Sequence, residues 1–97
     1  SLIQKLVTVF GEYTRDRVQD AVTAGQSGDL AAVARAAHSV RSSAGNVGAL
    51  RLLEAATALE HTARAGQTTP IPALVSELHT AFVATRAYLA TALREAA

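Results

Sequence analysis

Apolar positions recur at steps of three and four along most of the chain, the spacing that gathers them on one face of an α-helix. Over residues 2–24 the stripe is Ile3, Leu6, Val7, Phe10, Thr14, Val18, Ala21 and Val22, with Glu12, Arg15, Asp16, Gln19 and Asp20 mostly between them. Gly25-Gln26-Ser27-Gly28 then supplies stop and turn residues, and Asp29 can accept hydrogen bonds from the free amides of the next helix start. A second helix is expected over 29–47 on Leu30, Val33, Ala37, Val40, Ala44 and Val47, with Gly48 suited to a left-handed residue after its last turn. Gly45-Asn46 is a competing stop, since a glycine inside a helix costs about 1 kcal/mol relative to alanine. The third helix, over 49–65, carries Leu50, Leu53, Ala56, Leu59 and Ala63 on one side, with Arg64 near its C-terminus and Gly66 after it. Residues 67–72 form the one clear linker, in which Thr69-Pro70 reads as an N-cap followed by a first-turn proline. The last helix, over 70–95, has the stripe Leu74, Leu78, Ala81, Phe82, Thr85, Leu89, Ala92 and Leu93. Four such helices with short connections predict an all-α fold, an antiparallel up-down-up-down four-helix bundle occupying residues 1–97.

Composition supports one soluble domain and removes several kinds of chemistry. A chain of 97 residues, 49% hydrophobic and 18% charged, has enough apolar material for a single core and too much for a disordered segment. Ala occurs 22 times and Leu 11 times while Trp is absent, a mix that favours close-packed helices over a sheet. The absence of Cys excludes a disulfide frame, a thiolate zinc site, an iron–sulfur cluster and a cysteine nucleophile, and it fits a cytoplasmic setting. Charges at Lys5, Glu12, Arg15, Asp16 and beyond interrupt every apolar run, so no membrane contact is expected of this segment. A start at Ser1 without any Met or basic, hydrophobic leader reads as a piece of a longer protein. The net charge of +1 provides no broad field for nucleic acid, and a bundle that closes on itself is expected to be a monomer.

The candidate chemistry rests on three histidines, His38, His61 and His79. At ~100° per residue His38 lies about 130° from the centre of its helix's apolar stripe, so partial exposure is expected. Arg41 at i+3, Ser42 at i+4, Gly45 at i+7 and Ala34 one turn before are small or cationic, leaving a low surface that another protein can approach. Between Leu30 and Leu53 the only charged residues are Arg35, Arg41 and Arg51, a local +3 that leaves −2 for the rest of a chain totalling +1. An exposed neutral imidazole beside a cation suits phosphorylation on a ring nitrogen, because the lone pair is the nucleophile and the arginine offsets phosphate charge. An ordinary surface histidine fits the same spacing. His61 and His79 read as boundary or surface residues, and no two histidines share a predicted helix, which disfavours a metal site. Ser42 and Ser43 have no evident Asp to complete a Ser-His pair, and the Gly45 to Gly48 spacing is too weak for a phosphate-cradling loop.

The string Ala37-His38-Ser39-Val40-Arg41-Ser42-Ser43-Ala44-Gly45-Asn46-Val47-Gly48-Ala49 resembles the signature of histidine-containing phosphotransfer (HPt) domains, commonly written A-H-x-L-K-G-[SA]-[SA]-x-x-[LVI]-G-[AL]. The resemblance extends to the Gly28-Asp29 turn and to a Leu-rich third helix ending in Leu59-Glu60, Arg64 and Gly66. It implies a phosphorelay intermediate that accepts a phosphoryl group on His38 from a receiver-domain aspartate of a response regulator and passes it to another receiver. Such a carrier has no ATP-binding or kinase core, and its parent is expected to be a hybrid sensor kinase, which can be membrane-anchored. No cofactor is expected in the domain, since Mg²⁺ and the acidic pocket for transfer belong to the receiver. By the same resemblance Arg41 stands at the usual Lys position and supports the phosphate, although a planar guanidinium is not equivalent to an ammonium. Ser42 stands where the family usually has Gly, and its hydroxyl either bonds the imidazole or phosphate or hinders docking. Gly45 keeps the approach open. The alternatives are a transfer domain of a chemotaxis-type kinase, fed by a linked ATP-binding domain, and a non-catalytic helical docking module.

Overall fold

Glycines in the left-handed conformation decide where the helices stop. In the computed structural model, which describes residues 1–96, α1 is Leu2–Ser27, α2 Leu30–Val47, α3 Leu50–Arg64 and α4 Ile71–Ala96. Gly28, Gly48 and Gly66 have φ of 74°, 71° and 73°, and each closes the helix before it. The closure is the same Schellman arrangement three times: the glycine N–H reaches back to Gly25, Gly45 or Ala63, and the next amide donates to the carbonyl of Ala24, Ala44 or Thr62. Asp29 caps the start of α2, its carboxylate accepting from the Ala32 amide at 3.0 Å.

Some helix bounds differ from those the sequence predicts. The first helix continues to Ser27 rather than stopping near residue 24, because the left-handed residue is Gly28 and Gly25 stays helical, its Cα turned toward Ile71 and Val75 of α4. Gly45 likewise lies inside α2 and does not end it. The fourth helix starts at Ile71; the Pro70 carbonyl accepts from the Leu74 amide, which makes Pro70 the capping residue instead of Thr69.

Each helix packs on its neighbours in chain order and α4 returns to α1, while the diagonal pairs do not meet, which is the square of an up-down-up-down bundle. Val18, Ala21, Val33, Ala37, Val40, Leu52, Ala56, Leu59, Leu78 and Phe82 line its buried centre. The alanines let the helix axes approach closely, and burying each large side chain such as Leu52 or Leu59 contributes roughly 1.5–3 kcal/mol. Parts of the predicted stripes are not buried, among them Val47 at the end of α2, 44% exposed. Leu52 occupies the core of α3 whereas Leu50, the first helical residue, is 69% exposed. Ile3 and Leu6 are also exposed, since the 26-residue α1 and α4 outrun α2 and α3, of 18 and 15 residues.

Candidate functional site

His38 follows the buried Ala37 on α2 and turns its ring outward, with the side chain 50% exposed. Its inner nitrogen is engaged. Nδ1 lies 3.1 Å from Oε2 of Glu60, which stands on α3 directly after the buried Leu59. Glu60 is buried, its side chain only 4% exposed, and three basic side chains surround it. Arg64, one turn later on the same helix, donates to Oε2 through Nε at 2.9 Å and approaches it with Nη2 at 2.8 Å. Arg41 of α2 brings Nη1 to 3.3 Å from Oε1, an ion pair without hydrogen-bond alignment.

Burial by itself pushes the Glu60 carboxyl up, since a desolvated carboxylate is disfavoured. The hydrogen bonds from Arg64 and His38, with the positive charges of Arg41 and His38, outweigh that influence and hold the carboxyl below its ordinary range. Glu60 is therefore an anion at neutral pH. This settles a competition at Nδ1, to which Arg41 Nη2 also comes within 3.3 Å. A ring nitrogen cannot donate to Glu60 and accept from Arg41 at once, and donation to a buried carboxylate is the stronger, charge-assisted bond. In the neutral ring the proton then sits on Nδ1 and the lone pair on Nε2, at the exposed edge.

A family model, the Hpt domain, matches residues 5–95. The chain belongs to the Hpt-domain family. Among solved structures it is similar to histidine-containing phosphotransfer protein B (HptB) from Pseudomonas aeruginosa PAO1, with 28% identity, a TM-score of 0.88, and coverage of 93% of this chain and 78% of that one. No curated protein matches. This Hpt domain thus has a histidine phosphotransfer role in a phosphorelay, with receiver domains of response regulators as partners. No helix among the described residues is long and apolar enough to cross a membrane.

Of the residues singled out in the sequence of this Hpt domain, His38 and Arg41 meet at Glu60. Ser42 is exposed one turn beyond His38, and no hydrogen bond joins its hydroxyl to the imidazole. Gly45 is exposed too, and a Cβ there would meet nothing within 4 Å, so packing inside the bundle does not require glycine at this position. Ala34, read as part of the low surface around His38, is instead buried. Ser43 is half-buried and bonds to Thr14 of α1 at 3.1 Å, a tie between helices on the far side of α2 from Glu60. His61 and His79 are exposed.

Glu60 and Arg64 were absent from the expected site. Both belong to the third-helix part of the family resemblance, in which only Arg64 has an expected task, the favourable charge at a helix end. A sharper signal was present: Glu60 stands four residues after Ala56 and three before Ala63, within the apolar stripe of α3. An acid at such a position must find cations when it is buried.

Proposed function

We propose that His38 is the phosphoryl carrier of this domain, receiving the group on Nε2 from a receiver-domain aspartyl phosphate and passing it to the aspartate of another receiver. The observation that carries this reading is the Nδ1–Glu60 bond of 3.1 Å on a half-exposed ring, which leaves Nε2 as the available lone pair. In the forward step Nε2 attacks phosphorus, the N–P bond forms, and the P–O bond to the aspartate breaks with its electron pair staying on the carboxylate. Nδ1 keeps its proton, so the phosphorylated ring becomes cationic and Glu60 lies against that charge. A carboxylate holding a histidine tautomer and stabilising its cation does the same work in catalytic triads. Onward transfer reverses these bond changes on a second aspartate, for which the cationic ring is a good leaving group.

Arg41, already beside the ring, supplies positive charge toward the phosphoryl oxygens. Ser42 and Gly45 lie on the face that a receiver covers, Gly45 keeping the backbone accessible and the Ser42 hydroxyl available to the incoming group. The Mg²⁺ of the transfer is assigned to the receiver. Among the described residues no group of three or more His, Asp or Glu side chains could hold a metal ion. The domain acts as a monomer on the cytoplasmic side, as part of a hybrid kinase that a membrane anchor outside this segment can hold, and without nucleic acid.

The test is label transfer from a phosphorylated receiver. Wild type takes label that is lost in acid and kept in alkali, whereas His38→Gln takes none. Label persisting on the variant would overturn the assignment.

A further inference from the structure

Glu60 is fastened unevenly. Its Oε2 takes His38 Nδ1 at 3.1 Å and Arg64 Nε at 2.9 Å, with Arg64 Nη2 also 2.8 Å from it, whereas Oε1 has only the poorly aligned Arg41 at 3.3 Å. Both short guanidinium contacts therefore fall on the oxygen that faces the histidine. Arg64 reaches this oxygen from the last turn of α3, whose backbone is closed by the Gly66 and Gln67 amides bonding to Ala63 and Thr62. Its own side chain is 57% exposed while that of Glu60 is 4%, so the pair is half-buried, and removing the arginine leaves a buried carboxylate short of a partner. Without Arg64, the carboxylate keeps one bond to a neutral ring and is pulled by the charge of Arg41 on its other side.

We propose that Arg64 is a positioning residue for phosphotransfer: it holds Oε2 of Glu60 against Nδ1 of His38 and so keeps the ring in the tautomer and orientation that present Nε2. It does not touch the phosphoryl group. As far as it concerns transfer, the inference rests on His38 being the carrier; the ring state it sets can be measured apart from that. The guanidinium matters because Nε and Nη2 grip one oxygen together, a contact that a lysine ammonium makes as a single point.

Two measurements on the same samples test it. Long-range ¹H–¹⁵N correlation of the His38 ring reads the tautomer, and phosphorylation by phosphoramidate and by a phosphorylated receiver reads the rate. Arg64→Ala is expected to mix the tautomers and slow both phosphorylations by about tenfold, read at a temperature where the variant is fully folded. Arg64→Lys restores part of the rate. In a Glu60→Gln background Arg64→Ala changes nothing further, because the residue acts through Glu60. A wild-type tautomer and rate in Arg64→Ala, or an equal loss in the Glu60→Gln background, overturns the proposal. If wild type itself takes no phosphoryl group on His38, the carrier assignment fails, and the ring measurement still decides the role of Arg64.

Discussion

Among the described residues two polar side chains are buried, Thr14 on α1 and Glu60 on α3, and α2 runs between them. Thr14 shares a hydrogen bond of 3.1 Å with Ser43, whose hydroxyl also lies 3.1 Å from the Val40 carbonyl. The tie is neutral, local and complete, and it joins two helices. Glu60 brings a full charge inside and needs basic partners from two helices to keep it there. A buried ion pair returns little net stability after desolvation, so what Glu60 contributes is the state of one imidazole ring. One side of α2 is built for packing and the other for chemistry.

That contrast predicts different consequences when each side is broken. The largest effect is expected from Glu60→Leu, which removes the ring's acceptor: phosphorylation of His38 falls at least about tenfold in a transfer assay. Its unfolding free energy by urea stays within about 1 kcal/mol of wild type or rises, because Arg41 and Arg64 are partly exposed and regain water. A large loss of stability in that variant would make Glu60 a structural group like Thr14. Thr14→Val is expected to do the reverse, losing about 1 kcal/mol, seen as a drop of roughly 4–8 °C in thermal midpoint, with an unaltered transfer rate.

A smaller effect is expected at Gly45, where the backbone is helical and a Cβ meets nothing. Gly45→Ala raises stability by about 0.4–1 kcal/mol. It also slows phosphorylation by a receiver but not by phosphoramidate, which compares docking with chemistry directly. The gentlest probe is pH. The Glu60 carboxyl lies lower in the folded than in the unfolded chain, so its contribution to stability is complete above its ordinary value of 4.5 and is lost as pH falls through the depressed folded value. Urea unfolding across that range should show wild type losing more stability on acidification than Glu60→Gln, and parallel curves would remove the charge from the account.

The neutral side of α2 and the charged side were not equally legible. Helical periodicity announced all four elements, the outward turn of His38 and its cation at i+3, because each of these is a relation within one helix. The Leu50, Leu52 and Leu53 cluster defeated the same reasoning: leucines so close together support more than one stripe, and only packing against the other helices selects Leu52 for the core. The partnership of His38 with Glu60 spans 22 residues and two helices, and no spacing rule within a single helix contains it. Its trace in the sequence was a local misfit, an acid within an apolar stripe. The extension of α1 to Ser27 was hidden differently, behind two glycines of which only the second takes a left-handed backbone.

The turn at Gly48-Ala49 works as a gear. His38 lies nine residues before the end of α2 at Val47 and Glu60 ten after the start of α3 at Leu50, so a two-residue turn folds the chain with both side chains at one level. One residue added within α3, between Leu52 and Glu60, would advance Glu60 by about 1.5 Å and rotate it by roughly 100° relative to the first turn of that helix, swinging it out of reach. The count of helical residues on either side of the turn is thus part of the active arrangement, and an insertion within α3 can silence a histidine that it never touches.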